Sequence, residues 1–142
     1  MSGYQGRILE IDLDKGSIEV MSLDEGVLRD YIGGSGLAAK LFLDRVSPEV
    51  NPLSAENQLF VLTGPLTGTN LPGTGRFVMA AKSPLTGIWG EANCGGHFGP
   101  QLKFAGYDGV IVKGTSKSPV YISIEDETVE VRDASDIWGK DV

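Results

Sequence analysis

The side chains that could do chemistry in this 142-residue chain are few, and most of them stand beside glycine. Three clusters recur: Gly33-Gly34-Ser35-Gly36, Gly73-Thr74-Gly75 before Arg76, and Asn93-Cys94-Gly95-Gly96 before a turn. Glycine removes the side chain, so backbone N–H groups can approach a ligand, typically a phosphate or a flat ring. The first cluster lacks a directly preceding strand and the full G-x-G-x-x-G spacing. A tight helix–helix corner therefore competes there with a dinucleotide loop. Arg76 follows a glycine-rich loop and opens an apolar run, which puts a forked, permanently charged donor at a sheet edge. That suits a phosphate or a heterocycle edge, and equally a solvated strand end. Cys94 and His97 are the sole thiol and imidazole. Two ligands do not make a structural zinc site, and a Cys–His nucleophile pair normally comes from distant segments. They read as a packed thiol and a loop histidine. Asp12, Asp14, Glu19, Glu125 and Asp126 read as solvated hairpin faces, with nothing resembling a paired acid/base site.

The elements that must position these residues follow from periodicity. Leu9, Ile11 and Leu13 alternate with Glu10 and Asp12, which predicts a half-buried strand. Asp14-Lys15-Gly16 is a turn, and Ser17 to Val20 resumes the alternation, closing a hairpin. Ser22 and Glu25 have capping-box spacing ahead of a short helix carrying Val27, Leu28, Tyr31 and Ile32, which Gly33-Gly34 ends. A second helix carries Leu37, Leu41 and Phe42 up to Val46, before Pro48 and Pro52. Gln58 to Thr63 and Gly109 to Gly114 read as strands buried on both faces. Between them lie a Gly/Pro/Thr loop over 64–75, a strand over 76–82, a turn over 83–87, a short strand from Ile88 to Ala92, and helical turns from Pro100 to Ala105. The last third is again a hairpin. Ile122 to Val131 matches Ile11 to Val20 in kind at an offset of 111 residues, and Asp136-Ile137-Trp138 resembles a helix start. Either two acidic hairpins look alike or the chain holds a structural duplication. In the second case repeat one spans about 1–105, and repeat two begins at about 106–142 and is truncated. The fold class is α+β, mixed β-sheets with a few short helices, in a single domain over 1–142.

Composition narrows the partners. A formal net charge of −7, with no basic cluster, argues against nucleic acid and anionic membranes. No apolar run approaches the ~20 residues of a membrane span, and the N-terminus has no signal pattern, so a cytoplasmic location is expected. Gly and Pro together make up roughly a fifth of the chain. One cysteine excludes a disulfide framework, a four-cysteine zinc site and an iron–sulfur cluster held by this chain alone.

Five ordered segments then carry a resemblance: Gly64-Pro65-Leu66-Thr67-Gly68-Thr69; Gly75-Arg76; Lys82-Ser83-Pro84-Leu85-Thr86-Gly87; Ala92-Asn93-Cys94-Gly95-Gly96-His97-Phe98-Gly99; and Leu102-Lys103-Phe104-Ala105-Gly106-Tyr107-Asp108. Together they resemble the N-terminal domain of the aldehyde ferredoxin oxidoreductase family, over essentially the whole chain. The resemblance implies an oxidoreductase that converts an aldehyde to a carboxylic acid and passes electrons to ferredoxin. It implies a tungsto- or molybdo-bispterin and a four-iron four-sulfur cluster whose ligands lie outside this chain. By position, Arg76 corresponds to the arginine between pterin and cluster, and Asn93 and Gly95 to pterin contacts. The backbone carbonyl of Asn93 corresponds to a ligand of the magnesium that joins the pterin phosphates. Cys94 sits where the family carries small residues. The family's cluster cysteines lie further along a chain several times this length. The resemblance therefore implies an N-terminal fragment, inactive by itself, whose partners are the C-terminal domains of the same parent chain. Two other classes stand beside it. One is a stand-alone module for a phosphate or nucleotide ligand. The other is an assembly module that forms a homo-oligomer through an exposed strand edge.

Overall fold

The computed structural model describes residues 2–140. Eight strands and three helices follow in the order β1 (Arg7–Asp12), β2 (Ser17–Ser22), α1 (Glu25–Tyr31), α2 (Gly34–Arg45), β3 (Gln58–Thr63), β4 (Phe77–Lys82), β5 (Trp89–Cys94), α3 (Phe98–Phe104), β6 (Gly109–Lys113), β7 (Val120–Glu125) and β8 (Thr128–Asp133). Six strands form one sheet in the order β2-β1-β6-β3-β4-β5, and β7 and β8 pair separately. The fold is α+β with a mixed sheet: β1 and β6 are parallel, and the other neighbours are antiparallel.

Both faces of the sheet are covered. Ile8, Phe60, Leu62, Val78, Ala80 and Ile111 pack under the helices α1 and α2, through Leu28, Leu37, Ala38 and Leu41. Their strand neighbours Leu9, Ile11, Val61 and Val110 point the other way. There they meet Leu102 of α3, Tyr107, and the partly buried Ile122, Ile124 and Val129 of the second hairpin. Period-two alternation thus feeds two cores, as it must for central strands.

Three local expectations change. β1 is not a half-buried strand, because β6 and β2 flank it and both of its faces are covered: Ile8 and Leu9 are each fully buried. The helix α1 is capped by Asp24, whose Oδ1 accepts from the Gly26 and Val27 N–H groups at 2.8 and 3.3 Å. Ser22 cannot serve as the cap because it is still in β2, opposite Arg7. Asp136-Ile137-Trp138 makes a turn, with the Ile137 and Trp138 N–H groups both donating to the Ala134 carbonyl. The two hairpins also differ in register. Asp12 pairs with Ser17 across a connection over 13–16, whereas Glu125 pairs with Thr128 across Asp126-Glu127, with Asp126 at φ 52°. Ile122 consequently faces Val131, not the Val129 that the residue-by-residue match would require.

Asp12 is a further correction, since it is 7% exposed and not a solvated carboxylate. Its Oδ1 accepts from the Asp14 and Lys15 backbone N–H groups, and its Oδ2 lies 3.5 Å from Lys113 Nζ and 3.7 Å from Lys15 Nζ. Burial alone would push this carboxyl up. The Lys15 N–H and the Lys113 and Lys15 ammonium groups outweigh it and hold the pKa below the ordinary carboxylate value. A lowered folded pKa stabilises the fold above the unfolded value and loses that stabilisation as pH falls through the folded one. Denaturant midpoints of wild type and Asp12→Asn should therefore differ at neutral pH and draw together as pH falls from about 4 through the lowered folded value.

Candidate functional site

The end of β3, the start of β4 and the end of β5 meet at one end of the sheet, because Thr63 faces Phe77 and Phe77 faces Cys94. A cavity of about 440 Å³ opens there. Its wall comes from four places in the chain: Ile32 to Ser35, Leu62 with Gly64 to Thr67, Gly73 and Thr74 with Arg76 to Val78, and Asn93. Two of the three glycine clusters and the asparagine of the third therefore converge. The first cluster is the tight helix–helix corner that the sequence offered as one of its two readings. It is the corner between α1 and α2, where a Cβ on Gly36 would strike the Tyr31 carbonyl oxygen, and it also lines the cavity.

Arg76 and Asn93 form the polar head of the site. The Arg76 Nε–H donates to Asn93 Oδ1 at 2.5 Å, and Nη2 donates to the Asn93 carbonyl oxygen at 3.0 Å. A Cβ on Gly95 would lie 3.9 Å from Arg76 Nη1, so the backbone passes beside the guanidinium. The structure thus brings together Arg76, Asn93 and Gly95, with the first two exposed to solvent around the cavity. Arg76 is held by a neighbour and is no free strand-end arginine.

Another part of the wall is the start of α2. Its N-cap is Gly33, which has no side chain to accept from the helix, and its first turn carries no acidic residue. The first N–H groups of the helix keep their donor capacity, and the helix dipole adds partial positive charge. Polar contacts at both ends hold α2 there. Ser35 Oγ donates to Glu91 Oε1 at 2.7 Å, joining its first turn to β5. At its other end Arg45 pairs with Glu10 and donates to Gln58 Oε1 at 3.1 Å. Ile32, in the corner before α2, has φ 64° and ψ −62°, and the Gly33 N–H donates to the Tyr31 carbonyl at 2.7 Å. This is a γ-turn on a β-branched residue, a strained arrangement that sets an apolar side chain at the cavity rim. With Leu62, Pro65, Leu66 and Phe77 it makes one side of the cavity apolar.

The donor set suits an anion attached to a flat apolar body. It suits a bare dication less well. A carbonyl oxygen has two lone pairs, and at Asn93 one already accepts from a guanidinium. A magnesium at the second lone pair would sit beside that positive charge unless phosphate oxygens lay between them. Among the described residues no three His, Cys, Asp or Glu side chains gather to hold a metal. Cys94 ends β5 and is partly buried, and His97 precedes α3 without capping it through its side chain. Neither lines the cavity. Sequence reasoning missed Ile32, Ser35 and Thr67 as wall residues. Their shared signal is adjacency to glycine, which does not say which loops meet.

Fold and site together define an α+β domain with a cationic, glycine-lined cleft at one end of a mixed sheet. Residues 8–142 match the family model described as aldehyde ferredoxin oxidoreductase, N-terminal domain, and the chain belongs to that family. A tungsten-containing aldehyde ferredoxin oxidoreductase of Pyrococcus furiosus is 50% identical over 142 residues, all of this chain and 24% of its own. An aliphatic sulfonate oxidoreductase, WOR-like subunit, of the same organism is 39% identical over 98% of this chain and 22% of its own. Among solved structures, the active site complex BamBC of benzoyl coenzyme A reductase with 1,5-dienoyl-CoA matches with a TM-score of 0.95. It is 43% identical over 98% of this chain and 21% of that one. The chain spans about a quarter of the length of the curated relatives it matches. No helix among the described residues is long and apolar enough to cross a membrane.

Proposed function

We propose that the chain is the cofactor-binding floor of a tungsten-pterin oxidoreductase that acts on an aldehyde and passes electrons through an iron–sulfur cluster to ferredoxin. The observation that carries this reading is the fork of Arg76 on Asn93 at the head of a glycine-lined cavity, in a chain of this family. The bispterin supplies the redox chemistry when bound. This chain's own residues bind and orient it. Arg76 and the start of α2 offer charge and N–H donors to the phosphate ends, Gly95 lets the backbone come close, and the Ile32–Phe77 side offers an apolar surface to the ring. In this reading the Asn93 carbonyl oxygen, which keeps one lone pair beside the Arg76 bond, would hold the magnesium. Molybdenum in place of tungsten leaves these roles unchanged.

The reading places the cluster cysteines and the substrate pocket in further domains of a longer cytoplasmic chain. It also makes residues 106–142 the start of a second repeat within one domain. Relatives named for aldehydes, aliphatic sulfonates and benzoyl-CoA share this domain, which supports substrate choice lying elsewhere. In the longer oxidoreductase chain, Arg76→Ala is expected to lower tungsten content and aldehyde-dependent viologen reduction about tenfold or more, the scale of losing a supporting contact to a metal site. Arg76→Lys should recover only part, because a point charge cannot fork onto Asn93. Unchanged metal content and rate in Arg76→Ala would remove Arg76 from the site.

A further inference from the structure

Thr67 differs from the other buried polar residues because its hydroxyl acts at the root of the Arg76 side chain. The residue is 5% exposed, its Oγ1 accepts from the Gly64 N–H at 3.2 Å, and the same hydroxyl donates to the Arg76 carbonyl oxygen at 3.1 Å. Its methyl faces Gly99 at the start of α3. A Cβ there would come within 3.2 Å of Thr67 Cγ2 and 3.3 Å of the Gly75 carbonyl oxygen. The turn over 64–67, the residue before Arg76 and the start of α3 are therefore packed without slack. An exposed arginine following a glycine-rich loop would otherwise carry large rotamer and backbone freedom. Here both ends are held: Thr67 ties down the backbone from which the side chain springs, and Asn93 receives the guanidinium.

We infer that Thr67 is a positioning residue for Arg76: its hydroxyl fixes the Arg76 carbonyl and so the direction in which the guanidinium reaches Asn93 and the cavity. The consequence for a bound pterin rests on the function proposed above; the positioning itself does not. The measurement is exchange of the Arg76 Nε–H proton with water, followed by NMR on the nitrogen-15-labelled chain. Thr67→Val keeps the shape and removes the hydroxyl, and should speed that exchange roughly tenfold, the scale of one lost hydrogen bond. Thr67→Ser restores the hydroxyl and should stay within about twofold of wild type. Should Thr67→Val fail to fold, as its melting curve would reveal, Gly99→Ala is read in its place. It presses on the same methyl and on the Gly75 carbonyl, and the same acceleration is expected. Wild-type exchange in a folded variant overturns the inference.

In the longer oxidoreductase chain, Thr67→Val should lower tungsten content, and combined with Arg76→Ala it should lose no more than Arg76→Ala alone. Fully additive losses would show that Thr67 does not act through Arg76. Faster exchange with unchanged tungsten content would support the positioning role and overturn the pterin reading of Arg76.

Discussion

Asp108→Asn is expected to destabilise this fold by about 3–5 kcal/mol, the cost of leaving a buried charge without its partner. Asp108 is 2% exposed and Lys103 5%, and their side chains pair directly. Lysine is almost never this buried without a counter-charge. The rest of each group is also engaged. Lys103 Nζ donates to the Gly3 carbonyl at 2.8 Å, and Asp108 Oδ2 accepts from the Gly6 N–H at 2.6 Å. Burial and the Asp108 carboxylate together push the nearby Tyr4 hydroxyl above its usual pKa. Asparagine keeps the size and one acceptor but removes the charge, leaving the buried ammonium without its counter-charge. Denaturant titration should show the loss as a lower midpoint with an unchanged slope. Removing both charges, as in Lys103→Met with Asp108→Leu, should recover only part of it: the desolvation penalty disappears from both partners, but the Gly6 N–H and the Gly3 carbonyl lose theirs. A loss below about 1 kcal/mol for Asp108→Asn would mean that the pair behaves as a solvated surface ion pair.

The same residue links stability to the site. The Asp108 carbonyl accepts from both the N–H and the hydroxyl of Thr63, at 2.9 and 2.8 Å, and its N–H donates to the Arg7 carbonyl at 2.8 Å. Thr63 runs directly into Gly64 and the cavity wall.

Gly109→Ala should cost about 3 kcal/mol or more by overpacking. Gly109 opens β6 in the middle of the sheet, with Ile8 on one side and Leu62 on the other. An added Cβ would lie 2.7 Å from the Val61 carbonyl oxygen and collide with Leu62 Cδ2. The Val61 carbonyl is held in the β3–β6 ladder, and the fully buried Leu62 side chain would have to repack to make room. Gly16→Ala makes the contrast. That glycine has φ 64° in a turn with open space around it, so only the backbone term of about 1 kcal/mol applies. Comparing urea midpoints of the two variants checks the register of β6 directly. Equal losses would mean that Gly109 is not enclosed by β1 and β3.

Every strand of the main sheet was legible in the sequence, because alternation and apolar runs report how one element presents its own faces. Glycine and proline placed the breaks, and the ordered motifs around Gly64, Arg76, Asn93 and Lys103 carried the family. The weaker points were local as well. Ser22 and Asp24 both have capping chemistry, and the length of β2 decides between them. Hairpins with the same sequence pattern took different registers because their turns differ in length.

Other features depend on chain segments about a hundred residues apart. The sequence by itself determined which segments extend, which coil, where they break, and which family they belong to. Only the tertiary structure made β1 a central strand, by inserting β6 between it and β3, and so buried Asp12 against Lys113. Only the tertiary structure joined Lys103 to the N-terminal segment and brought four separated segments to one end of the sheet. The physical reason is that periodicity and turn chemistry act over a few residues, whereas burial, ion pairing and cavity shape depend on strand order. Strand order is settled by the packing of the two cores as a whole.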